Sequence, residues 1–254
     1  MRSPCVNVCV LDPARGICRG CGRTLDDIAR WSSLSDAERD AIMDKLAAGS
    51  IDWYFDFVSP YSHIALYRLK ELPPPIRFKP VLFAGLLNHW GQKGPAEIPA
   101  KRQWTYRWCT WWAKELGIAL RFPEAHPFNP LHYLRLSIAC GNRPEAVQRI
   151  FDFIWTTGED AADAQRFVQL CRELKVPQER LSLPEVKDEL RSNTEEAARR
   201  GVFGVPSFVI DGEVFWGADA IDFVKAFLRD RSVVRNTEMQ RVDRLPVGAA
   251  RKEK

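Results

Sequence analysis

The first half of the chain alternates between strand-like and helix-like apolar patterns. Residues 51–57 are dense in aromatic and aliphatic side chains, as in a buried strand, and 76–83 read as a second strand. Between them, apolar residues recur at helical spacing over 60–72, until the prolines at 73–75 stop the helix. The order strand, helix, strand predicts a unit with two parallel strands.

The second half is mostly helical before two strands return. Helical patterns cover residues 101–116, 131–141, 144–157, 163–174 and 184–200. Short strands are predicted at 207–210 and 213–216, joined by the hairpin signal Asp211-Gly212, and a helix follows at 220–228. This order predicts an α/β fold: a thioredoxin-like sheet with a large helical insertion.

The first 49 residues predict a small helical module. Thr24 begins a helix whose apolar stripe comprises Leu25, Ile28 and Trp31. The stretch Ser35-Asp36-Ala37-Glu38 matches a capping box and begins a second helix. We therefore expect three parts: a module over 1–49, a main domain over 51–230 and a mobile tail over 231–254.

Composition and charge exclude several function classes. The net charge of +4 in 254 residues is too small and too dispersed to indicate a nucleic-acid partner. No apolar run reaches the roughly 20 residues of a membrane-spanning helix, and the N-terminus lacks the apolar stretch of a secretory signal. We therefore expect a cytoplasmic protein with reduced thiols and no membrane partner.

The seven cysteines fall into two groups. Cys109, Cys140 and Cys171 lie far apart in helical patterns and are expected to be buried as small apolar residues. The other four stand close together at Cys5, Cys9, Cys18 and Cys21. Four soft ligands in so short a module predict a metal site, either zinc or an iron-sulfur cluster; the alternative is a set of reduced structural cysteines.

The junction after the first predicted strand carries Ser59-Pro60-Tyr61-Ser62. A helix N-terminus there favours a thiolate, because its N–H groups and dipole are positive. Serine cannot form a disulfide, so a thiol for this site must come from another molecule. Ser59 could donate a hydrogen bond to such a thiolate, or it could merely cap the helix.

A second motif supports the ligand-binding alternative. Gly204-Val205-Pro206-Ser207 directly precedes the predicted hairpin, where thioredoxin-like folds carry a cis-proline that faces the helix N-terminus. The cis bond exposes the backbone of Val205 to a peptide-like ligand.

Three segments together resemble a known family. The segments 55–62, 204–206 and Trp216-Gly217-Ala218-Asp219 resemble 2-hydroxychromene-2-carboxylate isomerases and kappa-class glutathione transferases, over about residues 51–230. The resemblance implies glutathione as cofactor and a small aromatic molecule as substrate. It also implies a thioredoxin-like fold, and related enzymes suggest a possible homodimer.

The resemblance also implies roles for individual residues. Ser59 would face the glutathione sulfur, with Pro60 and Tyr61 beside it, and the Val205 backbone before Pro206 would pair with the cysteinyl part. Ala218 and Asp219 would hold the γ-glutamyl end, and Pro99 and Lys101 the glycine end, although Lys101 could also be a solvated surface residue. Gln92 would supply a separate contact from the loop at 91–94. Gln92 departs from the Gly-Asn that the family has in this loop.

Aromatic residues and histidines near this site have open roles. Trp104, Trp108, Trp111 and Trp112 share one helical face, which favours core packing, although some could line a pocket for a flat substrate. The loop at 126–130 could complete that pocket. His63 is either a proton carrier or a helix-surface residue.

The N-terminal residues 3–46 resemble a small bacterial domain of unknown function that is often described as a predicted iron-sulfur protein. That description does not identify the ion, because four cysteines hold zinc and iron-sulfur clusters alike.

The resemblance implies a glutathione-dependent cis–trans isomerase that acts on 2-hydroxychromene-2-carboxylate or a similar aromatic ring-fission product. One alternative is a kappa-type glutathione transferase or peroxidase, which consumes glutathione. A second alternative is a non-catalytic, metal-dependent interaction module whose thioredoxin-like part only binds a partner.

Overall fold

The computed structural model describes residues 3–5, 9–12, 16–18, 21–48, 50–73 and 75–249. At the N-terminus, two short strands pair in antiparallel fashion, β1 (Leu11–Asp12) and β2 (Ile17–Cys18). Two helices follow, α1 (Leu25–Arg30) and α2 (Asp36–Ala48). The other residues of the predicted module over 1–49 lie outside the described ranges.

The N-terminal helices begin as the sequence predicts. The Thr24 side chain accepts the Asp27 amide and the Asp27 carboxylate accepts the Thr24 amide, which completes a capping box for α1. Ser35 and Glu38 cap α2 in the same way. The predicted apolar stripe of α1 is wrong for Leu25 and Ile28, which are exposed, because a six-residue helix buries only the Trp31 side at its end.

The main domain contains a four-stranded mixed sheet. Its strands are β3 (Ile51–Phe55), β4 (Ile76–Pro80), β5 (Ser207–Ile210) and β6 (Glu213–Trp216), in the spatial order β4-β3-β5-β6. β3 pairs parallel to β4 and antiparallel to β5, and β5 and β6 form a hairpin. Strand, helix, strand and hairpin thus combine in the predicted thioredoxin-like arrangement.

Helices flank the sheet and form the insertion. They are α3 (Pro60–Arg68), α4 (Phe83–Trp90), α5 (Pro99–Glu115), α6 (Leu131–Ala139), α7 (Pro144–Trp155), α8 (Ala164–Glu173), α9 (Pro184–Arg199), α10 (Ile221–Arg229) and α11 (Thr237–Val242). The strand predicted over 76–83 ends early, because Phe83 already begins α4. The carboxylate of Asp56 accepts the Phe83 amide and satisfies this helix start.

The central strand β3 is buried on both faces. Trp53 and Phe55 stack on the face that packs against α7, with ring centroids 4.4 Å apart. Tyr54 points to the opposite face and joins a smaller apolar cluster with residues of α4 and α9. Because β3 is fixed from both sides, the turn that follows it at Asp56 is held rigidly at the edge of the sheet.

The C-terminal segment carries more structure than the sequence predicted. A 3₁₀ turn spans Arg231–Val234, α11 follows it, and Val233 and Val234 pack against the main core. The Arg231 guanidinium donates to the carboxylate of Asp211 in the hairpin turn. Residues 250–254 of the predicted tail lie outside the described residues, and its mobility stays a prediction.

Among the described residues, none of the helices is long and apolar enough to pass through a membrane.

Candidate functional site

Ser59 lies where the sheet edge meets the N-terminus of α3. Its backbone is extended, and its Oγ accepts the Ser62 amide at 3.2 Å, so it caps the helix. Pro60 follows in the first turn, where its missing N–H costs nothing. Ser59 is only 6% exposed, which places its hydroxyl in a largely desolvated position at the positive end of the helix.

The Val205-Pro206 peptide bond is cis and adjoins Ser59. The Ser59 hydroxyl lies 3.4 Å from the Val205 carbonyl oxygen, to which it donates. The predicted meeting of the cis-proline segment with the α3 N-terminus is therefore confirmed. At this length the hydrogen bond is weak, so a stronger acceptor such as a thiolate could replace the carbonyl as the acceptor of the hydroxyl group's hydrogen bond.

Tyr61 connects this site to α5. The side chains of Thr105 and Cys109 interact with its hydroxyl, and burial, the largest cause, raises the pKa of Tyr61 above its usual value. Burial also raises the pKa of the Cys109 thiol to about 12, which keeps this thiol protonated at neutral pH. Cys109 is fully buried, and Cys140 and Cys171 are almost fully buried. This confirms the prediction that these three cysteines are buried as small apolar residues.

Two other polar groups near the helix start are enclosed. Ser62 is fully buried, and its Oγ has no hydrogen-bond partner among the described residues. His63 is also fully buried, with Nε2 2.8 Å from the Ala119 carbonyl and a pKa that burial lowers. The surface alternative for His63 is therefore wrong. Its Nε2 bonds a carbonyl, and its Nδ1 is buried without a hydrogen-bond partner among the described residues.

The segment after β6 brings Ala218 and Asp219 to the same region. Asp219 lies near enough to contribute to the raised pKa of Tyr61, after burial and Cys109. Gly217 has φ +104°, a backbone conformation that favours glycine, and a Cβ there would also meet the Asp219 carboxylate. Ala218 is buried, and its carbonyl accepts the Arg68 guanidinium at 3.1 Å.

The loop between α4 and α5 borders the cis-proline segment from the other side. The Gln92 amide donates to the Phe203 carbonyl at 3.1 Å, and the Trp90 indole donates to the Val202 carbonyl at 2.9 Å. The Gln92 side chain therefore contacts the chain two residues before Val205. Pro99 begins α5, and Lys101 is exposed in its first turn.

The tryptophan face of α5 is not the buried face. Thr105, Cys109 and Ala113 are the buried residues of this helix. Trp104 is 64% exposed and Trp111 is 51% exposed, so the core-packing prediction is wrong for these two. Trp108, which is half-buried, stacks on Trp104 with ring centroids 6.2 Å apart.

Residues 50–229 match the family described as "DSBA-like thioredoxin domain". The chain belongs to this family. The DSBA-like domain is therefore most of the protein, and it contains the Ser59 and Pro206 region in full.

Curated relatives of the DSBA-like chain include enzymes of two names. It is 28% identical over 192 residues to a 2-hydroxychromene-2-carboxylate isomerase of Sphingobium xenophagum, covering 71% of this chain and 98% of that protein. It is 26% identical over 206 residues to glutathione S-transferase kappa 2 of Caenorhabditis elegans, covering 71% of this chain and 92% of that protein. The chain is thus homologous to both enzyme groups that its motifs resemble.

A solved structure supports the fold of the DSBA-like chain. The structure of selenomethionine 2-hydroxychromene-2-carboxylate isomerase superposes with a TM-score of 0.62 at 22% sequence identity, covering 75% of this chain and 98% of that one. The predicted thioredoxin-like sheet with many inserted helices is confirmed.

The N-terminus of the DSBA-like chain matches a separate family. Residues 3–49 match "Protein of unknown function (DUF1289)". The uncharacterized protein YdhL of Escherichia coli (strain K12) is 40% identical over 43 residues, which cover 17% of this chain and 53% of that protein. These matches support an extra N-terminal domain.

The four N-terminal cysteines influence one another electrostatically. Cys5 and Cys9 are exposed, whereas Cys18 and Cys21 are buried. The pKa of Cys9 is raised, chiefly by the charge of Cys5 and to a smaller degree by Cys18 and Cys21. Within the described ranges, no group of three or more Cys, His, Asp or Glu is arranged to hold a metal ion. The donor set suits a metal, and the metal prediction stays a prediction.

Sequence reasoning missed two groups beside Ser59. Asp56 is fully buried, and burial raises its pKa to about 7 although backbone amides, including those of Phe83 and Val58, oppose the shift. His126 bonds the Val58 carbonyl through Nε2 at 2.8 Å, so its ring is engaged next to the site. A lone Asp inside the apolar run 53–58 was the available signal for the first. His126 was predicted only as part of a loop that could complete a substrate pocket, and no local signal marked its bond to Val58.

Proposed function

We propose that this chain binds glutathione at the N-terminus of α3 and uses it as a cis–trans isomerase of 2-hydroxychromene-2-carboxylate or a similar aromatic ring-fission product. The observation that carries the proposal is the Ser59 hydroxyl, buried at a helix N-terminus and 3.4 Å from the carbonyl before a cis-proline. The nearby Cys109 thiol is buried and protonated, so it is a poor nucleophile. The reactive thiol must then be supplied by a ligand.

The residues present fit a tripeptide thiol. Val205 offers backbone groups beside Ser59, where the cysteinyl part of a peptide could pair with them. In this proposal Pro206 and Tyr61 flank the cysteinyl part of glutathione. In the same proposal Ala218 and Asp219 contact the γ-glutamyl end, Pro99 and Lys101 contact the glycine end, and Gln92 supplies a further contact.

Charge argues for the direction in which glutathione lies. The Asp219 carboxylate matches the ammonium group of the γ-glutamyl end, and the Lys101 ammonium matches the carboxylate of the glycine end. The two residues stand on different elements, one after β6 and one in the first turn of α5. Tyr61 interacts with Thr105 and Cys109 of α5 and with the charge of Asp219.

When bound, glutathione supplies a thiolate that adds to an activated double bond, allows rotation about that bond and is then expelled unchanged. Ser59 would donate its hydroxyl proton to the sulfur as a hydrogen bond, without transferring it. The amides of the first turn of α3 would add their positive end, and both effects favour the ionised thiol at neutral pH. No net oxidation or reduction occurs.

Product analysis tests the isomerase proposal. The protein is incubated with glutathione and an aromatic ring-fission product, and the geometric isomer and free glutathione are both quantified. Isomer formation with full recovery of glutathione supports the proposal. Loss of free glutathione as a conjugate or disulfide would favour a kappa-type transferase or peroxidase instead, a second candidate that the Caenorhabditis elegans relative supports.

Substitution of Ser59 gives a sharper test. Ser59→Ala removes the hydroxyl that contacts the sulfur, and we expect kcat/KM to fall roughly 100-fold, as for the loss of a donor in an oxyanion-type site. The same change removes a helix cap, which costs about 1 kcal/mol of stability.

The control is Asp163→Ala, because Asp163 caps α8 through the amides of Gln165 and Arg166. It should lose a similar stability, about 1 kcal/mol, and keep its activity. Equal activity in Ser59→Ala and the wild type would remove Ser59 from the mechanism.

We also propose that Cys5, Cys9, Cys18 and Cys21 bind one metal centre, zinc or an iron-sulfur cluster. The proposal is supported by the pKa of Cys9, which the charges of Cys5, Cys18 and Cys21 all raise. It is also supported by Arg23, whose Nε lies 3.3 Å from the Cys21 sulfur and would stabilise a thiolate there. Metal analysis and a visible absorption spectrum separate the two, because zinc is colourless.

The paired variant Cys18→Ser/Cys21→Ser should lose the metal, whereas Cys140→Ala, which changes a thiol of the main core, should retain it. Purified protein that contains neither zinc nor iron, and that takes up neither after reduction, would contradict the metal proposal.

A further inference from the structure

The turn from Asp56 to Ser59 sets the position of the Ser59 hydroxyl. Within it, the Asp56 carboxylate accepts the Val58 amide at 3.1 Å, and the Asp56 carbonyl accepts the Ser59 amide at 3.1 Å. These bonds fix the amides of the turn. Its two carbonyls, those of Phe57 and Val58, face away and need donors from other elements.

Both donors come from the helical insertion. The Trp155 indole at the end of α7 donates to the Phe57 carbonyl at 2.9 Å, and His126 Nε2 lies 2.8 Å from the Val58 carbonyl. The two rings also touch, with centroids 5.5 Å apart. The insertion therefore donates hydrogen bonds to the carbonyls of Phe57 and Val58, the two residues directly before Ser59.

The partners of His126 determine its tautomer. A carbonyl can only accept, so Nε2 carries the hydrogen, and in the neutral ring Nδ1 is then an acceptor. The Tyr106 hydroxyl on α5 lies 2.6 Å from Nδ1 and 2.9 Å from the His126 carbonyl. The Tyr106 hydroxyl has a single hydrogen, which the two acceptors Nδ1 and the His126 carbonyl share, and its share in the bond to Nδ1 favours the tautomer that bonds Val58.

The packing around His126 leaves its ring little freedom. Phe122 and Phe128 contact it edge-on, with centroids 5.8 and 6.2 Å away. Burial lowers the pKa of His126, in agreement with a neutral ring. Both ring nitrogens of His126 are therefore engaged within the protein, and neither is left for a substrate.

We infer that Tyr106 and His126 are positioning residues for Ser59: a Tyr106–His126–Val58 chain of hydrogen bonds aims the Ser59 hydroxyl and the first turn of α3 at the glutathione sulfur. The inference rests on the proposed function. It gives the helical insertion a direct part in the site, through the backbone of the residue before Ser59.

A purely structural role would predict only a loss of stability, so the test needs a matched variant. Tyr106→Phe deletes the hydroxyl and keeps the ring. Tyr133→Phe is the control, because the Tyr133 hydroxyl is buried in the same insertion and donates to the Ala161 carbonyl at 2.7 Å, a carbonyl outside the 56–59 turn. Each variant loses one tyrosine hydrogen bond to the interior.

The readout is the ultraviolet difference absorbance of thiolate in protein saturated with glutathione, together with the dissociation constant from calorimetry. Tyr106→Phe and His126→Ala should lower the ratio of ionised to protonated bound thiol about tenfold, a shift of one pKa unit, while the dissociation constant changes less. Tyr133→Phe should leave the ratio unchanged.

His126→Gln is the rescue variant, because a glutamine amide can donate to the Val58 carbonyl and accept from Tyr106. It should recover most of the thiolate signal that His126→Ala loses. If His126→Ala folds poorly, the comparison of Tyr106→Phe with Tyr133→Phe remains decisive, because it does not use that variant.

Three outcomes overturn the inference. An unchanged thiolate ratio in folded Tyr106→Phe, or equal losses in Tyr106→Phe and Tyr133→Phe, would overturn it and leave the proposed function standing. Wild-type protein that binds no glutathione would overturn the proposed function and this inference with it.

Discussion

Three histidines with lowered pKa values make the stability of the folded chain sensitive to acid. His132 packs against the rings of Tyr133 and Phe167, and burial lowers its pKa from 6.5 to about 4. Burial lowers the pKa of His63 and of His126 as well. In each case the unfolded chain takes up a proton at a pH where the folded chain does not. The stability that the neutral rings contribute is therefore complete above pH 6.5 and is lost as the pH falls below it.

His132→Phe should reduce this acid sensitivity. Between pH 6.5 and about 4, His132 should lower the free energy of unfolding by at most roughly 1.4 kcal/mol per pH unit. We expect the variant to lose less stability than the wild type between pH 7.5 and pH about 5, measured by urea unfolding at both values. Comparison with pH 7.5 cancels the packing change, and parallel pH profiles of the two proteins would show that His132 does not titrate in this way.

At the residue scale, the sequence predicted the features that depend on neighbouring residues in the chain. Ser59, Pro60 and Pro206 were found from the sequence because capping and cis-proline preferences depend on neighbouring residues. His126 and Tyr106 were not found in their positions, since their link to Val58 spans 68 residues of chain and exists only after the insertion has packed. Core packing was wrongly predicted for Trp104 and Trp111, because helical spacing identifies residues that share a face but does not show whether that face is buried.

At the scale of elements, one polar face of β3 joins the sheet to α9. Asp52 is fully buried and accepts hydrogen bonds from Arg77 of β4 and from Arg200 just after α9. Burial by itself would raise the pKa of Asp52, and these two guanidinium groups outweigh it and lower the pKa. The Tyr54 hydroxyl donates to Glu196 at 3.0 Å on the same face. This network fixes α9 on the sheet.

Asp52→Asn should break that network at its centre. The variant removes the carboxylate charge that pairs with Arg77 and Arg200. Because Arg77 is half-exposed and Arg200 keeps Glu196, we expect a cost of about 1.5–3 kcal/mol of unfolding free energy. The control is Asp188→Asn, since Asp188 pairs with Arg191 on the surface of α9 and should cost less than about 1 kcal/mol. Urea unfolding measures both, and equal losses would refute a structural role for the buried carboxylate.

Elements bounded by strong end signals were predicted well. Pro99, Pro144 and Pro184 each stand in the first turn of a helix, close to the predicted starts. The start of α4 was missed because its first amide is satisfied by Asp56, a residue 27 positions earlier. Such a cap is tertiary and leaves no mark in the neighbouring sequence.

At the scale of the whole molecule, the site lies where the sheet and the inserted helices meet. The sheet supplies the Ser59 turn and the Val205-Pro206 segment, and the insertion supplies Tyr106, His126 and the α5 side of Tyr61. The order of elements predicted this fold from sequence, because it leaves few ways to connect a parallel pair, an insertion and a hairpin. The contacts across the two parts could not be predicted, since they depend on how the helices pack.

Calorimetric titration with glutathione tests the central claim most directly. We predict that one glutathione binds per chain, and that Asp219→Asn weakens binding about tenfold by removing the charge that pairs with the γ-glutamyl ammonium group. Asp188→Asn, an equal change of charge far along the chain, should bind like the wild type. No detectable binding to the wild-type protein at millimolar glutathione would contradict the account.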